Sequence, residues 1–288
     1  MVETSAVVKA DTLVIDPQHS PVEVVLQAAT GKRRALVLNE HEARNFTRAT
    51  SSEEAALALL DRGIDAAIVK CGALGAVVAH QGVVQNVGVI PTATVHPIGS
   101  GDAFSAGFCH AWSGGDDPVA AASFGSRLAA AHSILGTPQV TPGTMKQLEA
   151  PLPFLAGATP RIYLAGPFFS VAERHLVRTV RRALRNIGAE VFSPLDEIGP
   201  GGDEVAKQDL QGLTGCHSVL ALLDGADPGT VFEIGWATHA GIPVIGFAEL
   251  PDDHAWTMAR GTGSVITNDL SSALYQSVWA AVVESQSS

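Results

Sequence analysis

Apolar residues come along this chain in two textures: short dense runs, and longer stretches where they recur every three or four positions. The runs Thr12–Ile15, Ala35–Leu38, Ala66–Val69, Ala76–Ala79 and Val83–Val89 have the length and β-branched content of strands. Ser52–Arg62, Asp102–Trp112 and Pro118–Leu135 carry the helical spacing between and after them. Such alternation predicts a layered α/β sheet. The section Ala76–Val89 reads as a hairpin turning at His80-Gln-Gly82.

Residues 136–160 break the pattern. Apart from a short helical stretch near Met145–Leu148, they carry punctuation and no sustained period, and read as a linker. A fresh strand, Arg161–Gly166, follows. Ser170-Val-Ala-Glu173 is a capping box that opens a helix. That helix places Leu176, Val177, Val180, Leu184 and Ile187 on one face; Arg174, Arg178, Arg181, Arg182 and Arg185 fall largely on the other and read as a solvated face. Gly188 stops it. Strands Glu190–Ser193, Ser218–Leu223 and Pro243–Phe247 follow, with a helix from about Thr230 to His239 between the last two. The expected fold is therefore two α/β domains, residues 1–145 and 158–288. The second is a small doubly wound parallel sheet of flavodoxin or Rossmann type, which binds ligands at the carboxyl ends of its strands.

Composition narrows the chemistry. With 46% hydrophobic and 16% charged residues, the chain can bury a core. Its net charge of −11, from 18 basic and 29 acidic residues, argues against nucleic-acid polymers, whose binding needs cations to displace counterions. A nucleoside or nucleotide needs only a local pocket and stays open. Cys71, Cys109 and Cys216 lie far apart, without a CxxC pair, which suits reduced thiols in the cytoplasm. The start shows no basic segment followed by a long apolar run, and the most apolar helix, Pro118–Leu135, is interrupted by Arg127 and His132. A cytoplasmic protein with no membrane contact is expected. The ten histidines show no clustered ligand spacing, so no transition metal is expected.

Three segments fall at the strand ends of the second domain: Tyr163–Phe169, Lys207–Leu213 and Asp224–Glu233. Gly166-Pro167 turns the chain and lets a ligand approach the backbone. Asp227-Pro-Gly229-Thr230 leads into a helix with Glu233 in its first turn. There the positive helix end favours an ionised carboxylate, and apolar Phe232, Ile234 and Trp236 would exclude water. An ionised carboxylate in a semi-dry pocket is what attack at an anomeric carbon requires. Taken singly, each residue has a plainer reading: Glu233 as dipole compensation, Asp227 as a turn former, Asp209 as a solvated helix residue, Tyr163 as core. Their joint order and spacing favour the chemical reading.

Over its whole length and in order, this domain resembles the nucleoside 2-deoxyribosyltransferases, a superfamily that also contains N-glycosidases acting on nucleoside 5'-monophosphates. The resemblance implies Glu233 as the nucleophile that holds the sugar covalently. Asp227 would orient the glycosidic region, Asp209 would contact or protonate the base, and Tyr163 would steer the nucleophile through its hydroxyl. Gly166, Pro167, Phe168 and Gly229 would line the substrate, with no cofactor needed. The family brings a polar residue from a neighbouring subunit to the sugar end, shortly before a Met. The equivalent stretch here is Trp256-Thr-Met258, which puts Trp256 and Met258 at the sugar end and implies a homo-oligomer. Transferase and hydrolase both remain open.

In the first domain, Gly99-Ser100-Gly101 before a helix makes a nest of backbone N–H groups able to hold an anion, with Asp102 at its mouth as a base. Gly31-Lys32 lacks the rest of a Walker loop. Together with Asn39-Glu-His-Glu42 and Lys70–Ala76, these residues resemble the later motifs of the ribokinase-like (PfkB) sugar kinases. The resemblance implies ATP and magnesium as ligands, with Asn39 and Glu42 as the magnesium-associated pair. It covers only the second half of a kinase, and His96 stands where that motif opens with Asp. Nucleotide binding without sugar kinase turnover is expected. The rivals for this domain are an active sugar kinase and a purely structural remnant; for the chain as a whole they are a kinase completed by another chain and a non-catalytic nucleotide sensor.

Overall fold

The structure, a computed structural model, describes residues 7–18, 20–137, 139–154, 159–199, 201–250 and 254–285. The chain forms two compact units, Met1–Ile90 with His96–Phe154, and Pro91–Val95 with Leu155–Ser288. The segment that reads as a linker is divided between them. Up to Phe154 it packs on the first unit: the Leu152 amide donates to the Val89 carbonyl at 2.7 Å, and Phe154 rests on the core.

The first unit contains β1 (Val8–Ile15), α1 (Val22–Ala28), β2 (Ala29–Asn39), α2 (Glu40–Thr47), α3 (Ser52–Leu60), β3 (Ala66–Lys70), β4 (Ala76–His80), β5 (Val83–Val87), α4 (Ser100–Gly114), α5 (Pro118–Leu135) and α6 (Pro142–Lys146). Its sheet runs in the order β1-β2-β3-β4-β5. The first three strands are parallel, and the last two return antiparallel. Gln81 and Gly82, both at positive φ, close the β4–β5 hairpin as a two-residue turn whose twist matches the strands. Alternate strand residues feed two cores. Leu36, Leu38, Ala67, Val69, Val77 and Ala79 face α1, α2 and α3; Ala35, Val37, Ala66, Ile68, Ala76 and Val78 face α4 and α5. The expected layered sheet is present, with α1 and α2 as helices that the sequence reading did not contain.

Contact between α4 and α5 depends on two glycines. An added Cβ at Gly107 would lie 2.9 Å from the Gly125 Cα, and one at Gly125 would lie 2.7 Å from the Phe104 carbonyl oxygen. Backbone stands on both sides, so nothing flexible can yield.

The second unit contains β6 (Arg161–Ala165), α7 (Val171–Asn186), β7 (Glu190–Phe192), α8 (Pro194–Glu197), α9 (Ala206–Thr214), β8 (Ser218–Leu222), α10 (Pro228–His239), β9 (Val244–Phe247), α11 (Thr257–Gly261), β10 (Val265–Thr267) and α12 (Leu270–Glu284). Its sheet is wholly parallel, in the order β10-β9-β8-β6-β7. The chain moves one way from β6 to β7 and then crosses to β8 on the other side. The order therefore reverses between β6 and β8, the switch point at which doubly wound sheets open a crevice. One sheet face packs Tyr163, Ala165, Val219 and Ala221 against Leu213 of α9 and Ile234 and Ala237 of α10. The helices α7 and α12 cover the other face. Pro91–Val95 belongs to this unit: the Val95 amide donates to Ser272 Oγ at 2.9 Å.

The arginine face of α7 is less solvated than expected. Arg181 reaches Asp196 at 3.1 Å and Glu197 at 2.7 Å, and Arg174 donates to the Phe168 and Phe169 carbonyls, each at 3.1 Å. Among the described residues no helix is long and apolar enough to cross a membrane.

Gly125→Val is expected to lower the stability of the first unit by about 1–3 kcal/mol through overpacking. A lowered urea midpoint with unchanged slope reads this; a wild-type midpoint would show that α4 and α5 can separate freely.

Candidate functional site

Tyr163, Asp209 and Glu233 come from three elements and converge because all lie on the same side of the second sheet. Tyr163 sits on β6, where its alternation with Ile162 and Leu164 turns it toward α9 and α10. Its hydroxyl donates to Glu233 Oε1 at 2.6 Å. The tyrosine is fully buried, and burial beside Glu233 and Asp209 holds its hydroxyl protonated, well above the usual phenol range. It can only donate.

The local setting of Glu233 differs from the sequence expectation in two ways. First, α10 starts at Pro228, with Asp227 as N-cap, so Glu233 lies in the second turn and not the first. The positive helix end is already occupied: Asp227 Oδ2 accepts from the Thr230 amide at 2.7 Å and from Thr230 Oγ1 at 2.9 Å. Burial dominates instead of the dipole. It raises the Glu233 carboxyl from 4.5 to about 7, against the lowering effect of the Tyr163 bond, while Asp209 and Asp227 add repulsion. Second, Phe232 and Trp236 do not seal the carboxylate. They are 60% and 41% exposed and stack on each other on the outer side of α10; of the three neighbours only Ile234 is core.

Asp209, on α9, is half-buried, and its Oδ1 lacks a hydrogen-bond partner. Burial raises its carboxyl above the ordinary value. Two carboxyls raised by burial therefore stand near each other, an arrangement suited to acid–base work in a two-step substitution.

Around these groups, Gly166 follows β6 and packs against Leu222, whose side-chain atoms would lie 3.0–3.2 Å from an added Cβ. Pro167 is buried, Phe168 half-buried, and Gly229 is exposed beside Asp227. Trp256 is not at a free surface: it is 8% exposed and packs in the core of the second unit, whereas Met258 is 78% exposed.

In the first unit, Gly99 caps α4 from the left-handed region (φ 83°), and Ser100 Oγ donates to the Pro97 carbonyl at 2.7 Å. His132 secures this turn, its ring nitrogens 2.9 Å from the Ile98 carbonyl and 3.0 Å from that of Thr137. Asp102 accepts from Gln18 Nε2 at 2.8 Å. Asn39 and Glu42 form a capping box: the Asn39 side chain accepts from the Glu42 amide at 2.8 Å, and Glu42 Oε2 accepts from the Asn39 amide at 2.9 Å. With the pair engaged in this way, the second Glu42 oxygen is what the pair would leave to a magnesium ion. Among the described residues no group of three or more His, Cys, Asp or Glu could hold a metal ion.

The sequence reading missed a half-buried cluster beside the nest. Lys70 Nζ lies 2.9 Å from Asp16 Oδ2, which also accepts from Ser105 Oγ at 2.7 Å. Asp16 directly follows β1 and Lys70 ends β3, so their strand-end positions were the available signal.

Comparison with known proteins separates the same two parts. Residues 3–133 match the model of the pfkB family carbohydrate kinases, and residues 162–274 that of Nucleoside 2-deoxyribosyltransferase. No curated protein matches the chain. Among solved structures, a 2-deoxyribosyltransferase from Bacillus psychrosaccharolyticus is 29% identical over 38% of this chain and 88% of its own, with a TM-score of 0.35. A Thermotoga maritima ribokinase is 24% identical over 48% of this chain and 45% of its own, with a TM-score of 0.36. A Burkholderia thailandensis nucleoside kinase is 23% identical over 46% and 45%, with a TM-score of 0.37. The chain thus spans less than half the length of these kinases. The two family matches support a nucleoside-related enzyme.

The raised Glu233 carboxyl has a consequence for stability. Between 4.5 and about 7 the folded chain holds a proton that the unfolded chain has lost, so stability falls as pH rises through that window and stays lowered above it. The difference is roughly 3 kcal/mol. Glu233→Gln is expected to match wild type near pH 4 and to exceed it by up to that amount near pH 8, measured by denaturant unfolding. Equal stability at both pH values would show that the carboxyl is not strained by burial.

Proposed function

Starting from a deoxyribosyltransferase-like domain joined to a PfkB-like one, we propose that the second unit exchanges the base of a (deoxy)nucleoside or nucleotide through a covalent glycosyl ester on Glu233. The observation that supports this is the Tyr163–Glu233 pair: a carboxylate withdrawn from water, held by one phenol, at the switch point of a doubly wound sheet. In the first step the ionised Glu233 attacks C1' of the sugar. The C1'–N bond breaks, the base leaves with its electron pair, and a proton from Asp209 neutralises it. In the second step an incoming base attacks C1', its proton passes to Asp209, and Glu233 is released. Tyr163 holds one carboxylate oxygen throughout and leaves the other to attack. Asp227 acts from the helix cap, where it adds negative charge near Glu233 and holds the turn at Gly229. No cofactor enters these steps.

The ionised fraction of Glu233 sets the acid limb of the reaction, which is expected at about pH 7. A carboxylate that titrates there serves a near-neutral cytoplasm. The exposed Phe232, Trp236 and Met258 of this unit suit a homo-oligomer.

Glu233→Gln keeps the side-chain volume but cannot form the ester. We expect base release and exchange to fall by at least a thousandfold, with unchanged far-UV circular dichroism. Incubation with a nucleoside plus a second free base reads both routes: exchanged nucleoside marks the transferase, free sugar the hydrolase. Activity within a few-fold of wild type would remove Glu233 from the nucleophile role.

For the first unit we propose anion binding at Gly99–Gly101 without sugar phosphorylation. Lys70 Nζ would lie 3.7 Å from a Cβ at Gly101, so a cation stands beside the nest. Asp102 is already bonded to Gln18, and no step is routed through magnesium, to which the Asn39–Glu42 capping box would leave one carboxylate oxygen. Calorimetry should show weak ATP binding that Gly101→Val abolishes and Asp102→Ala leaves within a few-fold. Robust phosphorylation of ribose or a nucleoside, lost in Asp102→Ala, would overturn this.

A further inference from the structure

The groups assigned to the reaction stand on three separate elements, so something must set their spacing. One side chain that takes no part in the reaction lies between two of them. Phe192 ends β7 and pairs in register with Tyr163 across the parallel ladder, which puts both side chains on one face of the sheet. Their rings stack, with centroids 5.6 Å apart and planes 14° from parallel. The α9 backbone meets this ring at Gly212, where an added Cβ would overlap Cζ, Cε1 and Cε2 of Phe192. The Arg161 guanidinium, 5.6 Å from the ring centroid, further limits its movement. Gly212 lies three residues after Asp209, so the two share a side of α9. The order is α9 backbone, Phe192 ring, Tyr163 ring, and then the hydroxyl bond to Glu233.

We propose that Phe192 and Gly212 act together as a spacer that fixes how far Asp209 stands from the Tyr163–Glu233 pair, making both of them positioning residues for the reaction. The inference rests on the reading of Glu233 and Asp209 given above. Two features support it. Asp209 is close enough for its charge to act on both Tyr163 and Glu233. The ring is rigid and its far edge faces backbone, so a methyl group at residue 212 has to move the helix or the ring, and through the ring Tyr163.

The test uses Gly212→Ala, Phe192→Leu and the double variant. Three properties are read: thermal midpoint, kcat/KM for base release, and the titration midpoint of the Glu233 carboxyl by carbon-13 NMR, assigned with Glu233→Gln. Gly212→Ala should displace α9, reduce the repulsion from Asp209 and lower the Glu233 midpoint. It should also cut kcat/KM by about 10–100-fold, the scale of a misplacement of order 1 Å. In the double variant the shorter, flexible leucine makes room for the methyl group, and both properties should return to the level of Phe192→Leu alone.

A packing role without positioning would lower only the thermal midpoint. A wild-type Glu233 midpoint in Gly212→Ala, or no recovery in the double variant, would overturn the proposal. If Gly212→Ala does not fold, Phe192→Leu decides, because loss of the flat ring should still shift the Glu233 midpoint; wild-type values there would overturn it too. The NMR arm needs no turnover. Absence of base release in wild type would therefore count against the reaction and leave the spacing to be judged on its own.

Discussion

A carboxylate partly withdrawn from water needs a partner to stay ionised, and Glu233 in the second unit is such a group. Among the described residues Glu233 keeps a single strong partner, the Tyr163 hydroxyl at 2.6 Å, against the combined effects of burial and two neighbouring acids. The bond is too weak to offset burial fully, which leaves the group titrating at about 7. That balance is useful. A carboxylate fully stabilised by arginine or several amides would be a poor nucleophile, and one without a partner would stay protonated at neutral pH.

The fold explains why these groups meet. A parallel strand order that reverses between β6 and β8 opens a crevice at the carboxyl ends, and strand alternation turns Tyr163 toward the layer holding α9 and α10. Asp227 and Thr230 complete the N-terminus of α10 internally, so the helix dipole is used for folding rather than for lowering the Glu233 carboxyl. The first unit shows the same kind of economy. Asn39 and Glu42 close a capping box, and Asp102 is bonded to Gln18; groups that read as ligands in the sequence have structural partners here.

Elements with clean periodicity were legible from the residues: the β4–β5 hairpin, the capping box at Ser170 and Glu173, α5, and β6, β7, β8 and β9 of the second sheet fall where the pattern places them. Short or weakly patterned elements were not: α1, α2, α8, α11, β10 and α12 have no counterpart in the pattern. Helices α1 and α2 are too brief for a period to show, and α12 interleaves serines with its apolar positions. At the site, residue types and order could be read from the sequence, but the depth of Glu233 in its helix could not, because Pro228 and not the threonine after it starts α10. The exposure of Phe232 and Trp236 escaped for a related reason: four residues apart, they share one side of α10, and each lies two residues from the buried Ile234, which turns them away from the core. The partners of Arg174 and Arg181 depend on tertiary packing, which a charge pattern on one helix does not contain.

Glu233 as the covalent carrier of the sugar is the claim on which the rest turns. Its most direct test is to trap that ester by incubating the protein with a 2'-deoxy-2'-fluoro nucleoside, whose electron-poor sugar slows the second step, and to map the adduct by peptide mass spectrometry. A sugar mass on the peptide containing Glu233, removed by adding a free base, is the predicted result. Base release with no adduct at Glu233, or with the sugar on another residue, would contradict it.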